Sequence, residues 1–316
     1  MGTTFKFPYY VFLTHYLYVF YRFLLLLCRF SNSLKMVVIR TVDQLTKTLD
    51  SLREQGKTIG LVPTMGALHK GHISLVNRAR ADNDIVVTSV FVNPTQFNNP
   101  NDLATYPRTE DADIALLEAA NCDIAFVPTV EQIYPEPDNR VFNLGPVAEV
   151  MEGAMRPGHF NGVAQIVSKL FTYTKPHRAY FGEKDFQQIA VIRQMAKLEN
   201  FNLNIISCPI IREDDGLAIS SRNVRLSPQM RKIAPNIARI LKESINFALS
   251  HSVEQTIDFV TTSINAFDGM EVEYYQIVDG HTLMPVTSFN DSDHVVGCIT
   301  VYCGDVRLID NIAYKR

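Results

Sequence analysis

Cysteine is scarce in this sequence and poorly spaced for structural work. The five residues, Cys28, Cys122, Cys208, Cys298 and Cys303, form no CxxC pair and no Cys/His cluster of zinc spacing, and their number is odd. That argues against a disulfide framework and for a reducing compartment. Cys122 and Cys208 stand in or beside apolar runs, the setting of a buried thiol. Basic charge is not in excess either. Lys and Arg number 30 against 33 Asp and Glu, a net charge of -3, which lacks the electrostatic footprint of a nucleic-acid binder. A small anionic substrate stays open, because local charge in a cleft need not follow the total. No GxGxxG follows the early strand, which speaks against a dinucleotide-dependent oxidoreductase. There is no internal repeat and no low-complexity linker.

Long apolar runs are confined to one place. Residues 7–28, FPYYVFLTHYLYVFYRFLLLLC, are almost wholly apolar and aromatic, broken mainly by His15 and Arg22. The length suits a membrane anchor or a targeting segment, with Arg29 and Lys35 behind it, although no A-x-A-like cleavage site follows. The other reading makes Met36 the true start and residues 1–35 an upstream extension. Membrane contact is expected only if residues 1–35 are real, and no catalytic group is expected there.

From Met36 onward, strand-like and helix-like segments alternate, which predicts a parallel sheet covered by helices. VVI and IGLV are strands on either side of a helix. Further strands are expected at DIVVTSVFV (84–92), CDIAFVP (122–128), RAYFG (178–182) and FNLNIISCPII (201–211). Helices are expected at 70–81, in DADIALLEAA, and at about 162–174 and 187–199. The strand runs are continuous rather than alternating, as in a sheet buried on both faces. After about residue 212 the texture changes. SPQMRKIAPNIARILKESINFAL reads as a helix with Ser227 as N-cap and Pro228 in its first turn. A second helix and three strands follow, EVEYYQIVDG, DHVVGCITVYC and DVRLIDNIAY. The expected architecture is α/β: a Rossmann-like parallel-sheet domain at 36–211, then a smaller α+β domain at 212–316.

Five polar clusters carry the chemistry. Met65, Gly66, Ala67, Leu68, His69, Lys70, Gly71 and His72 lie where a strand ends and a helix begins, the place where open α/β sheets bind ligands. Two histidines at i and i+3 face the same way. Free backbone N–H groups and the helix dipole favour an anion, and Gly71 lets a nucleotide approach the backbone. Ile219, Ser220, Ser221, Arg222 and Asn223 bring two hydroxyls and a guanidinium, which suit phosphate oxygens. Gly182, Glu183, Lys184 and Asp185 again follow a strand, with a lysine for a phosphate and a carboxylate for ribose hydroxyls or the lysine. Asn93 and Gln96 in FVNPTQF, and His159 in RPGHFNGV, set amides and an imidazole beside turn residues and aromatics. That suits a small polar acid in a partly apolar pocket. Gln187 and Gln188 add two amides at a helix start. Each cluster alone is also compatible with an ordinary solvated loop.

An HxGH motif followed by a Ser/Arg loop near the end of a Rossmann-like domain resembles the nucleotidylyl-transferase superfamily. Within it, PTMGALHKGH, FVNPTQF, YPRT, EGAMRPGHFNGV, FGEKDFQQ and GLAISSRN, in this order, resemble the pantothenate synthetase family from about Met36 to the C-terminus. The resemblance implies that Met65 to His72 cradle ATP, with His72 as proton donor and His69 beside it on the phosphates. It puts Gly182 to Asp185 on the nucleotide, with Lys184 on the phosphates. Ile211 and Ile219 through Arg222 complete the ATP site. Gln96 and Gln188 hydrogen-bond pantoate, Gln96 also serves β-alanine, and Asn93 and His159 support that pocket. His72, His69, Lys184 and Arg222 are the implied catalytic groups.

The implied reaction condenses pantoate with β-alanine through pantoyl adenylate, using ATP and Mg2+ and releasing AMP and pyrophosphate, in a cytoplasmic homodimer. The stretch Glu110-Asp111-Ala112-Asp113 varies in the family, and no magnesium ligand is assigned from it. A simpler nucleotidyltransferase is the competing enzyme, disfavoured by the long FVNPTQF and RPGHFNGV pockets. A membrane-tethered binding protein with a lapsed site would need degraded motifs, and every polar motif position is intact.

Overall fold

The computed structural model describes residues 36–315; the expectations for residues 1–35 fall outside them. Six strands form one parallel sheet in the order β1-β4-β3-β2-β5-β6: β1 (Val37–Ile39), β2 (Ile59–Thr64), β3 (Ile85–Val90), β4 (Ile124–Phe126), β5 (Arg178–Gly182) and β6 (Asn204–Cys208). Helices α1 (Val42–Glu54), α2 (Lys70–Asp82), α3 (Glu110–Ala119), α4 (His159–Thr174) and α5 (Phe186–Leu198) cover it. One apolar core joins Leu45, Leu49, Phe171 and Ile192 to Ile59, Leu61 and Phe126 on one sheet face. A second joins Leu75, Val76, Ala79 and Leu117 to Val62, Val86, Ala125 and Tyr180 on the other. Burial on both faces explains the unbroken apolar strands.

Strand order reverses at β2, whose neighbours are β3 on one side and β5 on the other. Pairing with β3 runs the length of the strand to Thr64↔Val90, but pairing with β5 stops at Leu61↔Ala179. Pro63 accounts for the difference. Phe91 donates to the Thr64 carbonyl on the β3 side, and His177 donates to the Ile59 carbonyl on the β5 side. By alternation Pro63 turns its nitrogen toward β5, and proline has no N–H to extend that ladder. The strands therefore part at their carboxyl ends, leaving the crevice in which such sheets bind ligands.

The second unit is an antiparallel sheet of β7 (Met270–Asp279), β8 (Val295–Cys303) and β9 (Val306–Lys315). Helices α6 (Pro228–Ile233), α7 (Asn236–Ala248) and α8 (Val253–Asn265) lie on it, sealed by Ile237, Leu241, Val260, Ile277, Ile299 and Val301. The single helix expected from Ser227 is two. Ser227 does cap α6 by accepting from the Met230 N–H, but Pro235 supplies no N–H and α7 starts after it. β6 is also shorter than the 201–211 run, whose end leaves the sheet for the loop that carries Ile211. The four described cysteines, Cys122, Cys208, Cys298 and Cys303, are buried free thiols. No described helix is long and apolar enough to cross a membrane.

Candidate active site

Beyond the carboxyl ends of β2 and β5 two cavities of about 360 and 210 Å3 adjoin, sharing Met65, Gln96, Lys184, Asp185, Gln188, Ser220 and Arg222 in their walls. The smaller is also lined by His69, Gly71, His72, Gly182, Ile211, Ile219 and Ser221. The larger reaches between the two sheets to His159, Glu152 and Arg307. Residues from five separate sequence motifs thus converge on one cleft. Gly66, Ala67, Leu68, Lys70 and Glu183 line neither cavity; Lys70 is exposed, and Leu68 is buried in the second core.

His69 and His72 form the N-cap of α2. The His69 Nδ1 accepts from the Gly71 N–H at 3.2 Å, and the His72 Nδ1 accepts from the His69 N–H at 3.3 Å. The imidazoles stack with centroids 4.0 Å apart. With both Nδ1 atoms accepting, the ring proton of each neutral histidine sits on Nε2. Burial lowers the pKa of His69 to about 4, with the Lys184 charge adding to it. His72 falls to about 3 through burial, then its neighbours His69 and Lys184. Near neutral pH the pair is uncharged and offers two Nε2–H donors. Gly71 leaves room for this pair: a Cβ there would stand 2.9 Å from the His69 Cε1, and the ring would have to shift.

The backbone N–H groups expected to meet an anion are largely committed elsewhere. Gly66 donates to the Thr64 hydroxyl, Ala67 and Leu68 donate to the Asp113 carboxylate at 2.9 and 2.7 Å, and His69 and Gly71 donate within the cap. The donors left to face the cleft are therefore chiefly side chains. Lys184 comes from the turn after β5, where Asn311 of β9 donates to the carbonyls of Glu183 and Lys184 at 2.7 and 3.2 Å. Arg222 lies in the loop after a short hairpin in which the Ile219 N–H donates to the Ile211 carbonyl. Its Nη2 donates to Asp102 at 2.9 Å, Arg225 donates to the same carboxylate, and the Ser221 and Tyr106 hydroxyls are 3.2 Å apart. The loop is docked on residues 102–106.

The amide cluster is built around a turn, Pro94–Gln96, against which α4 lies closely. A Cβ on Gly162 would come within 2.3 Å of the Thr95 carbonyl oxygen. Fully buried Asn93 donates to the Gln96 Oε1 and to the Gly162 carbonyl, each at 3.1 Å, and accepts from Tyr134 at 2.7 Å. His159 donates from Nδ1 to the Gln96 carbonyl at 2.7 Å; burial, helped by Arg156, lowers its pKa to about 4. With Oε1 occupied, Gln96 donates one amide N–H to the Met65 sulfur at 3.1 Å and keeps the other for the cavity, which suits a carboxylate. Gln188 faces the same space, but Gln187 does not serve it alone. Its amide ties down the 147–152 segment, donating to Val147 and Val150 and accepting from the Glu152 N–H.

Sequence reasoning missed three groups here. Asp113 stands in a variable stretch, Asp102 in an unremarked one, and Glu152 heads EGAMRPGHFNGV with no role assigned to it; only the fold brings them to the site. An acidic residue in the first turn of the expected DADIALLEAA helix was the sole signal for Asp113.

A family model described as pantoate-beta-alanine ligase matches residues 37–313. The chain is 60% identical over 280 residues to the pantothenate synthetase of Porphyromonas gingivalis, covering 89% of this chain and 100% of that one. It is 59% identical over 281 residues to the pantothenate synthetase of Bacteroides fragilis, with the same coverage. The crystal structure of the pantothenate synthetase from Thermus thermophilus superposes with a TM-score of 0.84 at 42% identity, over 89% of this chain and 100% of that chain. The Francisella tularensis pantoate-beta-alanine ligase, solved in complex with beta-gamma ATP and beta-alanine, superposes with a TM-score of 0.75 at 38% identity, covering 88% and 98%. The sheet order, the capped histidine pair and these matches together make the chain a member of the pantoate–β-alanine ligase family, the pantothenate synthetases.

Proposed function

We propose that this ligase is ATP-dependent and works through a pantoyl adenylate. The observation that carries the reading is the neutral His69–His72 pair at the strand-order switch, with Lys184 and Arg222 around the same cavity and the Gln96 and Gln188 amides alongside. The relative solved with beta-gamma ATP and beta-alanine supports the same substrates here. Magnesium enters as part of Mg-ATP, since this ion is ordinarily held by phosphate oxygens, water and one or two carboxylates. Among the described residues no group of three or more His, Cys, Asp or Glu could hold a metal.

In the first step a pantoate carboxylate oxygen attacks the α-phosphorus of ATP, and the bond to pyrophosphate breaks. Gln96 and Gln188 hold the carboxylate by donated hydrogen bonds. The two Nε2–H groups, Lys184 and Arg222 stabilise charge growing on the phosphates, an electrostatic role that needs no protein nucleophile. His72 acts as a hydrogen-bond donor rather than as an acid, because its neutral form prevails. In the second step the β-alanine amine attacks the acyl carbon, the bond to AMP breaks, and the nitrogen loses a proton. The 219–225 loop covers the cleft and keeps water from the mixed anhydride. The reading includes the lid role of the C-terminal unit, a homodimer and a cytoplasmic location, which sedimentation and cell fractionation test.

The direct test is AMP formation from ATP with pantoate and β-alanine supplied singly and together. AMP and pantothenate forming only with both, and pyrophosphate exchange into ATP with pantoate alone, is the expected result. Exchange that fails with pantoate, in enzyme that still makes pantothenate, would rule out the adenylate route.

A further inference from the structure

We propose that Asp113 is a positioning residue for adenylation, an internal anion that holds the backbone presenting His69 and His72; this rests on the ATP-dependent reading above. Asp113 is 1% exposed. Its Oδ2 accepts from the Ala67 N–H at 2.9 Å, and its Oδ1 from the Leu68 N–H at 2.7 Å and the Thr109 hydroxyl at 3.2 Å.

The backbone it grips is unusual. Gly66 has φ +79° and Ala67 has φ +48°, so a residue bearing a Cβ sits in the left-handed region. Such a turn directs successive N–H groups to one side and makes a small anion-binding concavity. In nucleotide sites a phosphate often fills that hollow; here a carboxylate of the chain itself does. The fit is mutual, because a Cβ on Gly66 would stand 3.0 Å from the Asp113 Oδ2. Immediately after the gripped pair, His69 enters with extended φ and ψ of −145° and 177° and α2 begins. The position of both imidazoles therefore follows from where Asp113 holds residues 67 and 68. Gln188 and His159 hang on other elements, and Gln96, held by Asn93 on its own turn, touches this strand end only through the Met65 sulfur.

Losing this grip displaces the phosphate donors while leaving the acid pocket intact, and small displacements weigh heavily on catalysis. Asp113→Asn keeps the shape but presents an N–H2 to one of the two N–H groups. The expected result is an ATP dissociation constant, read by calorimetry, raised about tenfold to a hundredfold. Pyrophosphate exchange should fall in parallel. Conversion of supplied pantoyl adenylate by β-alanine should stay within about threefold of wild type, which a general loss of structure would not allow. Unchanged ATP affinity, or equal loss in both half-reactions, would overturn the assignment. If Asp113→Asn does not fold, Thr109→Val decides: it keeps both amide bonds, and ATP affinity should weaken about threefold to tenfold. Unchanged affinity in that folded variant overturns the proposal. Failure of the wild type itself to bind ATP would sink the nucleotide reading and this inference together, whereas wild-type binding with an indifferent Asp113 sinks the inference alone.

Discussion

Glu152 and Arg307 meet in a two-pronged pair, Nη1 donating to Oε2 at 2.8 Å and Nη2 to Oε1 at 2.6 Å. The Tyr274 and Thr300 hydroxyls also donate to Oε1, at 2.9 and 3.0 Å. Burial by itself would raise the Glu152 pKa, but the hydrogen bonds and charge of Arg307 bring it down to about 2. The pair joins the segment before α4 to β9 and so ties the two sheets together across the larger cavity. Removing Arg307 strands the buried Glu152 charge and also frees the Glu273 carboxylate, to which the arginine Nε donates at 2.9 Å. Arg307→Met should cost about 3–5 kcal/mol in urea unfolding. Adding Glu152→Met should recover part of that loss, and a purely additive double mutant would show that the two do not act as a pair.

Gly71→Ala separates stability from chemistry. In the first turn of α2 alanine is the better helix former, by up to about 1 kcal/mol. Its Cβ, however, would stand 2.9 Å from the His69 Cε1 and 3.0 Å from its Nδ1, so the ring must swing away. The melting temperature should hold within about 2 °C or rise, while kcat/KM falls at least about tenfold. Full activity in this variant would mean that the capped orientation of His69 is not the working one.

Gln96→Glu tests the direction of the amide. Asn93 already occupies the Gln96 Oε1, so the group left for an acid is a donor. A carboxylate at that position would lose its donor and oppose the substrate's own charge. KM for pantoate should rise by about a hundredfold or more, with KM for ATP changed far less. Equal shifts in both constants would show that Gln96 shapes the cleft without contacting the acid.

What the sequence made legible follows from the range of each signal. The strand end at Gly182, the α2 start and the Ser227 cap are local, set by apolar runs and by residues three apart, and the expected and observed positions agree. The IGLV run stops two residues short of the observed strand end at Thr64. The break at Pro235 was also local, and the apolar periodicity on both sides masked it. Asp113 on the Ala67 and Leu68 amides, Asp102 on Arg222 and Glu152 on Arg307 span 45 to 155 residues. Only the folded chain sets such partners, and a lone carboxylate in a polar stretch has no period to betray it. The direction of the histidine cap was hidden for a related reason. HxGH placed two rings together, but which nitrogen faced the cavity depended on backbone N–H groups that a sequence does not orient.

Acid should expose the histidines before the carboxylates. His69 and His159 are lowered from 6.5 to about 4, and His72 to about 3, each chiefly by burial. Folded, they stay neutral where the unfolded chain takes up protons. The unfolded state then binds more protons, and stability rises with pH across that range. Their contribution is complete above pH 6.5 and is lost as pH falls from there toward about 4 for His69 and His159 and about 3 for His72. Glu152, lowered from 4.5 to about 2, begins its own loss only below about pH 4.5, under the range in which the histidines start to lose theirs. Each histidine that resists protonation adds a slope of up to about 1.4 kcal/mol per pH unit. Urea midpoints between pH 7.5 and pH 5 should fall accordingly. His72→Gln is the informative variant, because a glutamine at the third position of a helix can still accept from the cap N–H. It should keep stability at pH 7.5, flatten the acid slope by one histidine's share, and lose activity. A slope identical to wild type would mean that His72 is not buried as a neutral ring, and that the hydrogen-bond role given to it must be replaced by that of a cation.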